Sequence, residues 1–463
     1  MWQPDLQPGP TPLYERLVEA IRRDIQAGLL TPGTRLPPQR DLAFKLKISV
    51  GSVTRAYTEA ERLGLLRAHV GRGSFISGAS PDHQDLSPTE EKPDGRGLID
   101  LRRNVPPAVP MLSMFNATIS ELAAHGALAP ALHYAPATGL SAVRHAGASW
   151  LAQQYGLTFA PENLIQCNGG QHGIALVFSS LCRPGDVILC ESSTFYGARV
   201  AADHLGLKLH GVAMDHEGLL PEALDQAASE TGSRLLFTIP TLHNPTTRTM
   251  SEQRRQQIAA IARARDLLIL EDDAYYAYSE RPRQLAHYAP ERTHYLASLS
   301  KGTCPGLRLA FLALPPGMAR EQLAQAIHAL GYSPPTLGAL VFKKWVESGK
   351  IYALAQSIQS ETSARWALAQ AILGNLIAPS GAPHSPHIWL PLPTLEAERM
   401  AARLLRAGVD VTPPDAFAVS PQADTGLRLC LGAPAHQAEL KRALIITADV
   451  MAGHGGLEQE RII

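Results

Sequence analysis

Residues 298–309 read SLSKGTCPGLRL and hold the most informative chemistry in the chain. Small hydroxyl residues flank Lys301, no other charged residue lies within six positions of it, and Arg308 follows seven positions later. A lysine after a strand is more often a plain surface residue. In so poorly charged a setting, however, desolvation makes the amine less basic, which is the state that Schiff-base chemistry needs. Arginine and hydroxyl groups bind phosphate, so the stretch predicts a reactive amine beside a phosphate site.

Short apolar segments alternate with helical stretches on both sides of this motif. The predicted strands, each bounded by turn residues, are 187–190, 235–239, 267–270, 295–299 and 309–314. A helical pattern at 251–265 separates two of them. That order predicts a mainly parallel sheet with both faces covered. Ligands bind such sheets at the carboxyl ends of the strands.

Further candidate groups follow these strands. Residues 168–173 (NGGQHG) open an apolar helix, and a glycine-rich turn at a helix start offers free N–H groups to a phosphate. The acidic residues 271–273 end another strand, where a carboxylate is suited to a protonated ring nitrogen. A helix cap is an equally open interpretation of these carboxylates. Asn244 closes a third strand with an amide that suits a ring hydroxyl.

The first 78 residues have a different pattern. Apolar residues recur at three- and four-residue steps from Tyr14 to Ile25, which predicts an amphipathic helix. A second helix at 38–46, a break at 47–49, a third helix at 50–63 and two short strands within 65–76 complete a winged helix-turn-helix. Residues 35–80 carry eight basic and three acidic residues, an excess typical of phosphate binding. A basic dimerisation appendage is the alternative.

Length and composition set the wider limits. The 463 residues suggest two or three domains, and the polar, proline-containing stretch 78–97 predicts a flexible linker. We therefore predict domains at 1–78 and 98–463, joined by a linker at 79–97. No apolar run is long enough for a membrane span, the start lacks a secretory signal, and the five cysteines form no C-x-x-C pair. We expect a cytoplasmic protein without disulfides or a metal site.

Residues 36–43 (LPPQRDLA), 53–57 (VTRAY) and 71–75 (GRGSF) resemble the GntR-type winged helix. The resemblance implies DNA contacts by Arg40 near the groove edge, by the start of the recognition helix and by the wing tip: Arg40, Ser49, Ser52, Thr54, Arg72 and Gly73. That family usually has an arginine where this chain has Val50. Because arginine reads guanine with two hydrogen bonds, the departure predicts an altered operator.

The motifs after residue 98 resemble the fold-type I aminotransferases that use pyridoxal 5′-phosphate. The resemblance runs from about residue 98 to about residue 434. It implies an α/β PLP-dependent transferase fold, with a mainly parallel central sheet and a small C-terminal subdomain. In that family the lysine corresponding to Lys301 forms a Schiff base with the cofactor.

The same resemblance implies the other cofactor contacts. Asp272 pairs with the ring nitrogen, and Tyr275 with Asn244 reaches the ring hydroxyl. Phe195 stacks on the ring in place of the usual tyrosine, and Tyr134 reaches the phosphate of a partner subunit. The phosphate contacts are Gly170 (where serine or threonine is common), Gln171, Ser298 and Arg308. Arg428 matches the arginine that clamps a substrate carboxylate.

A GntR-type DNA reader joined to an aminotransferase-like domain is the architecture of the MocR family of bacterial transcription regulators. This resemblance implies a double-stranded DNA operator, a small amine, amino-acid or PLP effector, and a head-to-tail homodimer. One alternative is an active aminotransferase with an N-terminal helical appendage, which leaves the basic charge and the wing unexplained. Another is a regulator that also catalyses a slow half-reaction.

Overall fold

The computed structural model describes most of the chain, namely residues 2, 4–6, 11–26, 29–30, 33–62, 65–69, 73–76, 97–275, 282–318, 320–379, 384–421 and 423–453. Two sequence predictions lie outside these ranges. They are the wing residue Arg72 and the linker up to residue 96. The domain boundaries drawn at 78–79 and 97–98 therefore remain predictions.

The N-terminal unit is a winged helix-turn-helix, as predicted. Helices α1 (Leu13–Gln26), α2 (Gln39–Leu46) and α3 (Val50–Arg62) precede strands β1 (Leu66–His69) and β2 (Gly73–Ile76). The two strands pair antiparallel, with Leu66 opposite Ile76. The apolar stripe of α1 packs into a core shared with α2, α3 and the hairpin, formed by Leu17, Val18, Ile21, Leu30, Leu36, Leu42, Ala43, Val53, Ala56, Tyr57, Ala60, Leu65, Leu66 and Ile76.

The turn between α2 and α3 is specified locally. Lys47 has a φ of 54°, in the left-handed region, and its N–H bonds to the carbonyl groups of the last turn of α2. The hydroxyl of Ser49 then accepts a hydrogen bond from the backbone N–H of Ser52 at 3.1 Å. This contact satisfies one of the free N–H groups at the start of α3. The predicted break at 47–49 therefore separates α2 from α3, the two helices of the helix-turn-helix.

The C-terminal unit contains the remaining elements. Its strands are β3 (Ile99–Asp100), β4 (Leu164–Cys167), β5 (Val187–Glu191), β6 (Lys208–Val212), β7 (Met214–Asp215), β8 (Gly218–Leu219), β9 (Leu235–Thr238), β10 (Leu268–Asp273), β11 (Thr293–Ser298), β12 (Ala310–Ala313), β13 (His387–Pro391), β14 (Val409–Asp410) and β15 (Gly426–Cys430). Its helices are α4 (Leu112–Ala124), α5 (Ser141–Tyr155), α6 (Gly169–Leu181), α7 (Tyr196–His204), α8 (Pro221–Thr231), α9 (Glu252–Ala264), α10 (Leu285–Tyr288), α11 (Arg320–Gly331), α12 (Leu337–Glu347), α13 (Lys350–Leu373), α14 (Thr394–Arg406) and α15 (Gln437–Met451).

Seven strands form the central sheet in the order β4-β12-β11-β10-β9-β5-β6. The pairs β11–β10, β10–β9, β9–β5 and β5–β6 are parallel. Strand β12 runs antiparallel to both of its neighbours. The prediction of a mainly parallel sheet is thus confirmed, with one reversed strand. Since the parallel strands end at one edge, the residues that follow them converge there.

A smaller subdomain packs around a separate core. Strands β13 and β15 pair antiparallel, and β14 pairs parallel with β3. Helices α14 and α15 pack against these strands, and α13 packs against α15. The buried apolar core includes Leu101, Leu373, Leu390, Leu429 and Leu444. This confirms the predicted C-terminal subdomain. None of the helices that the structure describes is long and apolar enough to cross a membrane.

Candidate cofactor site

A cavity of about 680 Å³ lies at the carboxyl edge of the central sheet, next to β15 of the small subdomain. Its lining includes nearly every residue that the sequence predicted for the cofactor or the effector, namely Gly170, Gln171, Phe195, Asn244, Asp272, Tyr275, Ser298, Lys301, Arg308 and Arg428. Tyr134 does not line this cavity.

Lys301 follows β11 and projects into the cavity. Its Nζ donates a hydrogen bond to the main-chain oxygen of Asn104. Burial is the main reason that the pKa of Lys301 falls from its usual 10.5 to about 8, and the nearby Arg428 and Arg308 lower it further. An appreciable fraction of a lysine with such a pKa is unprotonated near neutral pH. Lys301 is therefore prepared to act as a nucleophile.

Asp272 lies near the end of β10 and is 7% exposed. Burial raises the pKa of its carboxyl group to about 7, Asp273 adds to the rise, and Lys301 opposes it. Oδ1 of Asp272 is buried and has no hydrogen-bond partner among the described residues. A buried carboxyl oxygen without a partner is costly. It is suited to a ligand that brings a hydrogen-bond donor or a positive charge.

The start of α6 forms a second side of the cavity. Gly169 has a φ of +74°, and a Cβ atom there would lie 2.5 Å from Nη2 of Arg308. That nitrogen donates to the main-chain oxygen of Asn168 at 3.2 Å. Glycine is thus required both by the backbone conformation and by the close approach of the guanidinium group. The arrangement places a positive charge beside the N-terminus of a helix, which favours an anion.

Arg428 lies on β15 and faces the cavity from the small subdomain. Its Nη1 donates to Oδ1 of Asn244 at 2.9 Å. Its Nη2 donates to the main-chain oxygen of Arg102 at 2.7 Å and to Oγ1 of Thr412 at 3.0 Å. The guanidinium carbon lies 4.9 Å from the centre of the Phe417 ring. These contacts fix the guanidinium group at the cavity wall.

Phe195 and Gln171 complete the predicted set. Phe195 is the N-cap residue of α7 and is half-buried. Gln171 lies in the first turn of α6, and its side chain donates to the main-chain oxygen of Gly197 at 2.7 Å. The side-chain amide of Gln171 therefore ties the start of α6 to the start of α7, and both helix starts face the cavity.

Tyr134 lies outside the cavity lining and is 80% exposed. Its ring packs against that of Tyr332, with 4.6 Å between the ring centres. Leu132, two residues earlier, is also strongly exposed. These side chains form an exposed apolar patch, which we call the Tyr134 patch.

In the N-terminal unit, Arg40, Ser49 and Thr54 are exposed and Ser52 is half-buried. Thr54 lies within the second turn of α3 and donates to Oε1 of Gln39 at 2.7 Å. The sequence did not predict this contact with the start of α2.

Gly73 begins β2 with a φ of +108°, and a Cβ atom there would lie 3.0 Å from Nε of Arg35. Arg35 therefore adjoins the wing strand. The sequence placed Arg35 within the basic stretch 35–80 and predicted no individual role for it.

The sequence missed several cavity residues. Arg102, Asn104, Thr412 and Phe417 line the cavity from segments that contain no recognised motif. Ser300 was noticeable only as a hydroxyl neighbour of Lys301. Among the described residues, no group of three His, Cys, Asp or Glu side chains is placed to hold a metal ion.

Comparison with known families agrees with both units. The model of the aminotransferase class I and II family matches residues 96–445. The chain belongs to this family. The model of the gntR family of bacterial regulatory proteins matches residues 13–76. The MocR-type fusion of a GntR DNA-binding domain with an aminotransferase-like domain is thereby confirmed, and the family indicates pyridoxal 5′-phosphate as the cofactor.

Relatives with this architecture align along most of their length. The HTH-type transcriptional regulator YdeF of Bacillus subtilis is 30% identical over 455 residues, covering 96% of each chain. The pyridoxine biosynthesis transcriptional regulator PdxR of Corynebacterium glutamicum is 29% identical over 372 residues, covering 79% of this chain and 80% of that protein.

Among solved structures, an archaeal alanine:glyoxylate aminotransferase has a TM-score of 0.71 at 23% identity, covering 77% of this chain and 91% of its own. The kynurenine aminotransferase of Pyrococcus horikoshii has a TM-score of 0.71 at 22% identity, covering 78% of this chain and 92% of its own. These likenesses concern the fold.

The residues present fit the cofactor. The buried Oδ1 of Asp272 lacks a partner among the described residues, as expected of a group that awaits a ring N–H. The start of α6, where Gly170 lines the cavity, lies beside the Arg308 guanidinium group, and a helix N-terminus next to a positive charge suits an anion. When it is bound, pyridoxal phosphate supplies an aldehyde carbon that reacts with primary amines and a ring that withdraws electrons.

Proposed function

We propose that this MocR-type chain binds operator DNA in the cytoplasm and changes its affinity for that DNA when a small amine or amino acid, or PLP itself, binds in the cavity. The observation that carries the proposal is the convergence of Lys301, Asp272 and Arg428 in one cavity of a chain that also has a GntR reader. A ligand that binds one domain arrangement better than another shifts the population between them.

We assign the cofactor contacts by position. Lys301 provides the amine for the Schiff base, and Asp272 holds the ring nitrogen. Tyr275 and Asn244 hold the ring hydroxyl, and Phe195 packs on the ring. The phosphate lies at the start of α6, where its ligands are Gly170, Gln171, Ser298 and Arg308. The pKa values of Lys301 and Asp272 and the glycine at 169 support this orientation.

Arg428 binds the carboxylate of the effector. It is only 7% exposed and is oriented by Asn244, Thr412 and the main chain of Arg102. A guanidinium held in this way pairs with a planar carboxylate more strongly than a mobile one does. An effector that also presents a primary amine to the cofactor is an amino acid, which is the class we favour.

The functional unit in this proposal is a head-to-tail homodimer. The Tyr134 patch exposes large apolar side chains, among them Leu132 and Tyr134. Tyr134 would then contact the phosphate in the partner subunit. Exposed apolar patches commonly mark protein interfaces.

DNA contacts come from the reader domain. Arg40 contacts a phosphate, Ser49, Ser52 and Thr54 lie at the groove, and the wing tip at Arg72 and Gly73 contacts the backbone. The exposure of Arg40, Ser49 and Thr54 supports these roles.

The test is an electrophoretic mobility shift with the DNA upstream of the gene, with unrelated DNA as competitor and a series of salt concentrations. We expect a sequence-selective, salt-sensitive complex whose affinity changes when PLP and amino acids are added. The Lys301→Ala variant should keep the complex and lose the response to amino acids. Absence of selective binding by the wild type under every condition would refute the regulator proposal.

A slow transamination half-reaction is a second candidate, because the same three groups suit amino-acid chemistry. Incubating the PLP-loaded protein with single amino acids and assaying for the keto product tests it. Product that appears with the wild type and not with Lys301→Ala supports this candidate. If keto product forms but selective DNA binding is absent, the chain is an aminotransferase with an appendage.

A further inference from the structure

Two residues that the sequence did not predict for the site, Asn104 and His387, lie against Tyr275. Asn104 comes from the segment after β3, and His387 begins β13. Nδ2 of Asn104 lies 3.0 Å from the Tyr275 hydroxyl oxygen and 3.3 Å from Nδ1 of His387. Nε2 of His387 lies 3.4 Å from the main-chain oxygen of His243. The contacts form a continuous chain from a fixed carbonyl group to the phenol.

The direction of each hydrogen bond follows from this chain. A carbonyl oxygen only accepts, so the proton of the His387 ring is on Nε2. Burial, with Arg428 nearby, holds the pKa of His387 well below its usual value, so the ring is neutral and Nδ1 accepts. The Asn104 amide must therefore direct Nδ2 at His387. The second hydrogen of Nδ2 is then donated to the Tyr275 oxygen.

These hydrogen bonds determine the direction of the Tyr275 hydroxyl hydrogen. Because its oxygen accepts from Asn104, its own hydrogen points away from Asn104. Burial raises the pKa of Tyr275 far above neutral, so the hydroxyl group keeps that hydrogen. Tyr275 also lines the cavity.

We propose that Asn104 and His387 are positioning residues that turn the Tyr275 hydroxyl hydrogen towards the ligand in the cavity. The inference rests on the proposed cofactor site, in which Tyr275 donates to the ring hydroxyl oxygen. If His387 is replaced by an apolar residue, the Asn104 amide is free to turn and present Oδ1. Tyr275 then donates to Asn104, and the ring oxygen loses a donor.

The loss of this hydrogen-bond donor should shift the pH at which the bound chromophore titrates, and the direction of the shift can be predicted. A hydrogen bond donated to the ring oxygen stabilises its anionic form, so losing the donor raises the pH at which the bound chromophore titrates. We expect a rise of about one pH unit, the size of one hydrogen bond to a charged group. The other ionisable groups that act on Tyr275 or His387 are Arg428, Asp272, Lys301, Cys430 and His243, and all stay unchanged in the variants.

A plain packing role for His387 makes a different prediction. The His387 and Tyr275 ring centres are 5.6 Å apart, so His387 also supports Tyr275 by contact. His387→Leu keeps an apolar group of similar size but no acceptor. His387→Asn keeps an acceptor oxygen near the position of Nδ1 but packs less well. If His387 positions the Asn104 amide, the His387→Asn variant should resemble the wild type. If His387 only packs against Tyr275, the His387→Leu variant should resemble the wild type.

The experiment measures the absorption spectrum of the full-length protein loaded with PLP from pH 5 to pH 10. His387→Leu should raise the midpoint by about one pH unit. Asn104→Leu should leave it near the wild-type value, and adding Asn104→Leu to His387→Leu should restore it, because no amide oxygen then accepts the Tyr275 hydrogen. His387→Asn should stay near the wild type. The matched control is His294→Leu, which replaces a buried histidine on β11 that does not line the cavity.

An unchanged midpoint in His387→Leu, or equal shifts in His387→Leu and His387→Asn, overturns the inference. If His387→Leu fails to fold, as judged by circular dichroism and thermal melting, His387→Phe, which also lacks an acceptor, takes its place, and an unshifted midpoint in that variant overturns the inference. A wild-type protein that stays folded and acquires no visible band overturns the cofactor site itself, and the inference falls with it.

Discussion

The rate at which Lys301 captures pyridoxal phosphate should depend on pH with a break near 8. Only the neutral amine attacks an aldehyde, and the pKa of Lys301 is lowered from 10.5 to about 8, chiefly by burial. The difference of about 2.5 pH units makes the neutral fraction at pH 7 about 300 times larger than for an ordinary lysine, about 9% against about 0.03%. The rate constant should rise about tenfold from pH 6 to pH 7 and level off above about 8.

The assay mixes apoprotein with excess PLP in a stopped-flow instrument and follows the visible band between pH 6 and pH 10. Nα-acetyl-lysine, mixed with PLP under identical conditions, shows the pH dependence for an ordinary lysine amine, because the ionisation of PLP affects both reactions alike. Lys301→Ala should show no protein-bound band at any pH. The rate with the protein should level off above about pH 8, whereas the rate with the free amine should still rise up to pH 10.

Asp272 titrates in the same range, since burial raises its pKa to about 7. Asp272→Asn removes that titration. The break should then remain near 8 or fall slightly below it, because the Asp272 charge raises the pKa of Lys301. A rate with the protein that is flat from pH 6 to pH 8, or one that climbs without a break to pH 10 as with the free amine, would refute the reasoning about desolvation.

Three more predictions concern other contacts. Asp272→Asn should weaken PLP binding on the order of 100-fold, because a charge-assisted hydrogen bond is lost in a buried setting; a spectroscopic titration measures this. Gly169→Ala should weaken PLP binding at least about tenfold and leave pyridoxal, which lacks the phosphate, unaffected, because a side chain at φ +74° is strained and displaces Arg308. Equal losses for both ligands would contradict this. Arg40→Ala should reduce the slope of log affinity for operator DNA against log salt by about 0.9, while Arg406→Ala, an exposed arginine on α14, leaves the slope unchanged.

The sequence predicted the site where its residues follow parallel strands. Lys301, Asp272 and Asn244 come after or at the ends of β11, β10 and β9, and parallel pairing makes these ends converge. The sequence could not predict that β12 runs the opposite way, because four apolar residues in a row have no directional signal. Strand bounds also differed by one to three residues, as at β10, which extends through the acidic cluster to Asp273.

Asn104 and His387 escaped prediction for a different reason. They are separated by 283 residues, and neither belongs to a motif. Their contact depends on how the segment after β3 and the start of β13 are brought to the same cavity wall. Such packing between distant segments leaves no local pattern in a single sequence.

An effector changes the conformational balance only if it interacts differently with the alternatives. The two groups best suited to an amino acid belong to different cores of the C-terminal unit. Lys301 follows β11 of the large sheet, and Arg428 lies on β15 of the small subdomain. An amino acid that reaches both groups links the subdomain to the sheet, whereas an amine without a carboxylate engages only the Lys301 side. Arg428 keeps a donor for a carboxylate, because its buried Nε has no hydrogen-bond partner among the described residues while Thr412 and the main chain of Arg102 hold its Nη2. The response to amino acids should therefore exceed the response to simple amines, because only the amino acid contributes binding energy on both sides of the cavity.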